Sequence, residues 1–225
     1  MVPPWTRPAP EESSAFARRR DALIIALLEN HPATAEMLVG LGWFPNRSKA
    51  VRRLTRLVAR GKVRLLGTVA GRAGRPQHVY GRWRPALNQL THEILLTQVC
   101  LRLSASRILR GHHIERRDLL PDAEVWIQRR RYYLELDRGT MSYAQLERRF
   151  GKYAETDEFV LWVCSSIDRR EGMRARAGVI RQAALFTTLP EALVDPHAPI
   201  WIDHAGHRVG LPREDVMLPR PPTGP

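Results

Sequence analysis

The stretch that decides the fold is Asp122–Cys164, DAEVWIQRRRYYLELDRGTMSYAQLERRFGKYAETDEFVLWVC. Residues 122–128 and 131–137 are rich in β-branched and aromatic side chains, which predicts two strands joined by an arginine turn. Residues 142–155 carry apolar side chains at helical spacing. FVLWVC, 159–164, is a continuous apolar run, as expected of a strand buried on both faces of a sheet. A strand, a helical crossover and a second buried strand make a right-handed βαβ unit, so this segment belongs to an α/β domain.

Outward from it, NQLTHEILLTQVCLRL (88–103) reads as a helix, HHIER (His112–Arg116) as a short strand, REGMRARAGVIRQAALF (170–186) as a helix and PIWIDH (199–204) as a further strand. Nine of the 17 prolines fall in the two ends of the chain, where they block regular structure. The expected organisation is a disordered tail over 1–12, one domain over 13–87, the α/β domain over 88–211 and a Pro-rich tail over 212–225. With 44% hydrophobic and 26% charged residues in 225, the chain can fill a core.

The first domain opens with a predicted helix over about 17–30, whose Leu23, Ile24, Leu27 and Leu28 recur at helical spacing. Thr34 can cap a short second helix (AEMLVG), and Asn46 a third running to Arg60. In that third helix Val51, Leu54, Leu57 and Val58 make one apolar face, while Arg47, Lys49, Arg52, Arg53, Arg56 and Arg60 fill the remainder. KVRLLGTV, AGRAGRP and QHVYGRW then read as a hairpin around a turn rich in Gly and Arg. The outline is a winged helix-turn-helix. It would lay helix 47–60 in the major groove of double-stranded DNA and touch phosphates with Arg72 and Arg75. The charge balance agrees: 36 Lys and Arg against 23 Asp and Glu give a formal net charge of +13, which makes a polyanion the default partner. The plainer alternative is that the charge run is a solvated helix face.

In the α/β domain, period-two alternation puts Tyr133, Glu135 and Asp137 on one face of their strand. With the turn centred on Arg129-Arg130, an antiparallel register sets Asp122 opposite Asp137 and Glu124 opposite Glu135, so four carboxylates share a face. Opposed like charges destabilise a sheet unless something positive lies between them. Two arrangements supply it. Open carboxylates hold Mg²⁺ or Mn²⁺, which activates water against a phosphodiester. Alternatively, Lys and Arg of a neighbouring helix pair with the acids and no chemistry follows. A turn one residue longer would instead mismatch the faces.

The order LLPDAEVWI, YYLELDRGT, a helix ending in a basic residue and Tyr, FVLWV and an arginine-containing helix resembles the replication-relaxation family of plasmids and other mobile elements, over roughly residues 17–185. Its most specific element is ELDRGT, Glu135–Thr140. The resemblance implies an N-terminal winged helix followed by a domain similar to the restriction-endonuclease, PD-(D/E)xK, fold. It also implies Asp122 as the PD aspartate and Glu135 as the acid of ExK, both ligands of Mg²⁺ or Mn²⁺, with Asp137 in or beside the same shell. Asp137 stands where the pattern has lysine. The cation would then come from the next helix, where the family's usual lysine, four residues before the helix tyrosine Tyr153, is here Arg149, with Lys152 on nearly the same face. Arg149 can stabilise a developing phosphorane charge but cannot act as a base. The implied activity is metal-dependent nicking or cleavage of DNA. The alternative is a non-catalytic regulator or assembly factor that uses a degenerate nuclease fold to dimerise or bind a partner protein.

Other features exclude more than they suggest. Cys100 and Cys164, each in an apolar stretch, suit buried thiols in a reducing cytoplasm. No apolar run approaches the roughly 20 residues of a membrane-spanning helix. GxxxxGK[ST] and GxSxG are both absent, against an ATP-driven motor or a serine hydrolase. His92-Glu93, on the helix before the sheet where some nucleases place an extra metal-orienting acid, is read as a core histidine and a surface acid, and His112-His113 and Asp203–His207 lack a second ligand cluster at metal spacing and are read as non-ligands.

Overall fold

In the computed structural model, residues 10–71, 74–105, 107–110, 114, 119–180 and 184–213 are described, and they form a mixed α+β protein. The chain divides between Ile94 and Leu95 into two compact units.

The first unit runs α1 (Pro10–Asn30), β1 (Ala33–Thr34), α2 (Ala35–Gly40), α3 (Arg47–Ala59), β2 (Arg64–Ala70) and β3 (Pro76–Gly81), with an antiparallel sheet in the order β1-β3-β2. The capping residues are those the sequence indicates. Thr34 accepts from the Met37 amide at 3.3 Å and Asn46 from the Lys49 amide at 3.0 Å. Ile24 and Leu28 of α1, Leu38 of α2 and Leu54 of α3 are fully buried in one core that Tyr80 of β3 closes. Each such side chain contributes about 1.5–3 kcal/mol by leaving water. α1 starts earlier than expected, at Pro10, so residues 10–12 of the expected tail are helical. Proline is tolerated in the first turn of a helix.

α4 (Leu90–Leu103) spans the division. Its first turns pack Leu90 and Ile94 with Leu66, Val69 and Val79 in the first unit, while Leu96, Val99 and Cys100 belong to the core of the second.

The second unit is a seven-stranded mixed sheet covered by helices on both faces. Its strands are β4 (Arg107–Arg110), β5 (Ala123–Ile127), β6 (Arg130–Asp137), β7 (Phe159–Cys164), β8 (Ala184–Thr188), β9 (Trp201–Ile202) and β10 (Arg208–Val209), in the order β10-β9-β8-β7-β6-β5-β4. β6, β7 and β8 are parallel, and α5 (Tyr143–Tyr153) makes the crossover from β6 to β7, which is the predicted βαβ arrangement. α4 and α7 (Leu189–Val194) pack on the face of Leu134, Leu136 and Val163. α5 and α6 (Ile167–Arg176) cover the face of Tyr133, Trp162 and Phe186. There the Phe150 ring meets Trp162 edge-on at 4.9 Å, a favoured aromatic geometry.

Three expectations are corrected here. The predicted helix 170–186 stops at Arg176 and passes through a 3₁₀ turn (Ala177–Ile180), and its last residues lie in β8. Every residue of β8 is buried, and burial between β7 and β9 overrides a helical reading of an apolar run too short to decide by periodicity. The outer strand expected at His112–Arg116 is instead β4, at Arg107–Arg110. Of the expected strand only Ile114 is among the described residues, and it is not in a strand. The β5–β6 turn is centred on Gln128-Arg129, not Arg129-Arg130: Ile127 pairs with Arg130, and Glu124 with Tyr133. Gln128 and Arg129 have φ of 48° and 64°, the left-handed pair of a two-residue turn whose twist suits a hairpin. The same count places Asp122 level with Glu135. A two-residue slip preserves side-chain parity, so the carboxylates still share a face while the expected oppositions Asp122–Asp137 and Glu124–Glu135 are not made. In the expected C-terminal tail, Arg213 ion-pairs with Asp195 at 2.6 Å, and residues 214–225 lie outside the described ones.

Candidate functional site

Glu135 lies in β6 with 1% of its surface exposed, under α5. Arg149 projects from the middle of α5 and takes both carboxylate oxygens: Nε donates to Oε1 at 2.9 Å, and Nη2 lies 2.7 Å from Oε2. The Tyr153 hydroxyl, one helical turn on, also donates to Oε1. Arg149 further reaches Asp122 Oδ1 at 3.7 Å and the Leu120 carbonyl at 3.2 Å, while Asp122 Oδ2 accepts from the Leu136 amide at 2.8 Å. The cluster is therefore two acids on neighbouring strands, one guanidinium between them and one phenol. Burial, and after it the Asp122 charge, push the Glu135 carboxyl up to about 8, against the downward pull of Arg149 and Tyr153. Burial pulls Arg149 down, but its carboxylate neighbours carry it above its ordinary value. Burial and the adjacent Glu135 drive the Tyr153 phenol up, so it acts as a donor only.

Asp137 is taken up separately. Arg169, in the first turn of α6, grips it with Nε on Oδ2 at 2.6 Å and Nη2 on Oδ1 at 3.2 Å, donates to the Met141 carbonyl at 2.6 Å, and packs over the Tyr143 ring. Gly139, two residues after Asp137, sits at φ +79°, and a Cβ there would meet the Ser165 hydroxyl at 3.0 Å, so glycine is favoured at this position of the ELDRGT segment. Lys152 points to solvent and makes no ion pair with the acids. Glu124 is buried opposite Tyr133. Sequence reasoning found Asp122, Glu135 and Arg149 as neighbours but missed Arg169, and it named Tyr153 without its hydrogen bond. The available signal for Arg169 was topological: the helix after β7 begins beside the end of β6, where Asp137 stands.

A divalent metal does not fit this arrangement. Both oxygens of Glu135 are engaged by donors, and among the described residues no group of three or more His, Cys, Asp or Glu side chains gathers as a metal site. The expected pairing of Asp122 and Glu135 as metal ligands is replaced by a guanidinium that supplies the positive charge directly.

On the first unit, the basic face of α3 is sorted by its partners. Lys49, Arg52, Arg56 and Arg60 are exposed and follow one another at helical spacing, opposite the buried Ala50, Leu54 and Leu57. Arg53, expected on this face, turns to Asp21 of α1 in a two-bond ion pair whose side chains are only 16% and 14% exposed. Arg47 pairs with Glu36 of α2. Arg75 is exposed at the β2–β3 turn, and Arg72 lies outside the described residues. His207 is paired with Asp203, and His112-His113 lie outside the described residues. Cys100 and Cys164 are buried thiols, as expected. Among the described residues no helix is long and apolar enough to cross a membrane.

No protein-family model, no curated protein and no solved structure matches this chain.

Proposed function

We propose that the protein binds double-stranded DNA through its first unit, acting as a winged helix, and that its second unit is a restriction-endonuclease-like module whose acid cluster is structural. The observation that carries the first half is the stripe Lys49, Arg52, Arg56 and Arg60, exposed and, among the described residues, without ion pairs, along the helix and C-cap that follow a helix–turn and precede a β-hairpin. Arg53 and Arg47 of the same helix are instead taken up by acids. Support for the second half is the occupation of Glu135 by Arg149 and Tyr153 and of Asp137 by Arg169. A cytoplasmic regulator or assembly factor of a mobile element, of the replication-relaxation type, is the role this reading suggests, with the second unit offering a surface for a second copy or a partner protein.

Fluorescence anisotropy with a labelled duplex tests the DNA half. The full chain binds at low salt, and log K falls linearly with log salt. Arg52→Ala with Arg56→Ala weakens binding roughly 10- to 100-fold and lowers the salt slope by about 1.8, the loss of two phosphate contacts. Arg53→Ala acts differently: it lowers the melting temperature and leaves the salt slope nearly intact. Absence of binding at low salt sinks the reading.

The resemblance supports a second reading, metal-dependent nicking, because Asp122 and Glu135 stand level on neighbouring strands. It requires Arg149 to leave Glu135. The expected result is that supercoiled plasmid stays intact with the full chain in Mn²⁺ or Mg²⁺. Relaxation that EDTA and Glu135→Ala each abolish would establish the nuclease and overturn the structural role of the acids.

A further inference from the structure

A cavity of about 650 Å³ lies in the second unit, at the starts of β6, β7 and β8 and on the sheet face opposite Glu135. That volume is in the range of small-molecule sites, which run to about 300–1,000 Å³. Its walls are apolar, from Ile127, Phe159, Leu185, Val209 and Leu211. One wall is held in place from behind: Gln128 Nε2 donates to the Arg213 carbonyl at 3.1 Å, and His197 Nδ1 lies 2.9 Å from the Pro212 carbonyl.

One charged group in this lining is uncommitted. Arg130 is exposed and has no carboxylate within ion-pair distance among the described residues, whereas its neighbour Arg131 pairs with Glu158 at 3.0 Å. The Arg130 guanidinium lies 4.2 Å from the Phe159 ring centroid and 5.9 Å from that of Tyr132, so it is oriented by two rings while its N–H groups remain unspent. Tyr132 is 5% exposed and lines the cavity beside Arg130. Asp203, also in the lining, is already occupied by the His207 amide and ring and carries a negative charge. A lining with one unpaired positive charge and one negative charge favours a ligand with a single negative charge over a diphosphate or dinucleotide.

We propose that this cavity binds a small aromatic carboxylate, its ring between Phe159 and Leu185 and its carboxylate on Arg130 and the Tyr132 hydroxyl. The site stands whether or not the first unit binds DNA. 1-Anilinonaphthalene-8-sulfonate, a fluorescent aromatic monoanion, is the probe for the full chain, with 2-naphthoate and its neutral amide as competitors. The expected result is saturable binding to one site, with displacement by 2-naphthoate at concentrations at least tenfold below those needed for 2-naphthamide. Arg130→Gln, at an exposed position, abolishes that preference for the anion while near-ultraviolet circular dichroism stays unchanged. Tyr132→Phe weakens 2-naphthoate several-fold. Val209→Trp, which fills the cavity from a half-buried edge position, removes binding of both competitors. Absence of saturable probe binding, or a preference for the anion that survives Arg130→Gln, overturns the proposal.

Discussion

Replacing Arg149 with alanine costs the protein about 1–2 kcal/mol at pH 5 and up to about 1 kcal/mol more at pH 8.5. The difference comes from Glu135. Its carboxyl titrates near 8 in the folded protein and near 4.5 when exposed, so between those values the folded state holds a proton that the unfolded state has released. A raised folded value stabilises fully below about 4.5, and that contribution is lost as pH climbs through about 8. In the wild type at pH 8.5 the ionised carboxylate still has Arg149 and Tyr153. In Arg149→Ala it must either stay charged beside Asp122 with only the Tyr153 hydroxyl to hold it or take up a proton against the pH. At pH 5 the carboxyl is neutral in both proteins, and only hydrogen bonds are lost. Urea unfolding at the two pH values measures this, and equal costs would show that Glu135 does not change its charge between them. Glu135→Gln should flatten the corresponding part of the wild-type stability profile between pH 5 and 8.

Arg169→Ala is expected to cost about 3–5 kcal/mol at neutral pH, a large part of the 5–15 kcal/mol typical of a folded domain. The Asp137 side chain is 0% exposed, and Arg169 is 12% exposed, so water cannot replace the two hydrogen bonds. The exposed pair Arg176–Glu147, at 3.6 Å, is worth about 0–1 kcal/mol by comparison. The paired substitution Asp137→Leu with Arg169→Met should recover most of the loss, because it removes the stranded charge together with its partner. A double-mutant cycle by thermal and urea unfolding decides it. Additive single losses, with no recovery in the pair, would mean that Arg169 acts through Met141 and Tyr143 instead.

Much of this protein is set locally and is legible in its sequence. Thr34 and Asn46 begin helices because their side chains satisfy amides three residues on, whatever else the chain does. The stripe from Lys49 to Arg60 follows from 3.6 residues per turn, and the shared face of Asp122, Glu124, Glu135 and Asp137 follows from the period of two in a strand. That face survived a wrong turn position because the slip was an even number of residues. What the sequence could not rank is which cation meets which acid. With 36 Lys and Arg, nearly every acid has a basic residue nearby in the chain, yet the pairs that form join residues 14 positions apart in Glu135–Arg149 and 32 apart in both Asp137–Arg169 and Asp21–Arg53. Such pairs depend on which helix starts beside which strand end and on how much water is left there. Local propensity carries neither fact. Burial settled the same question for β8, whose apolar run has no period of its own and becomes a strand because β7 offers it hydrogen bonds and a dry face. The sequence determined the helix caps, the β5–α5–β7 core of the sheet and the sign of its faces; the tertiary structure decided β8, the neutralisation of the acids by Arg149 and Arg169, and the withdrawal of Arg53 from the basic stripe while Arg52 and Arg56 remain in it.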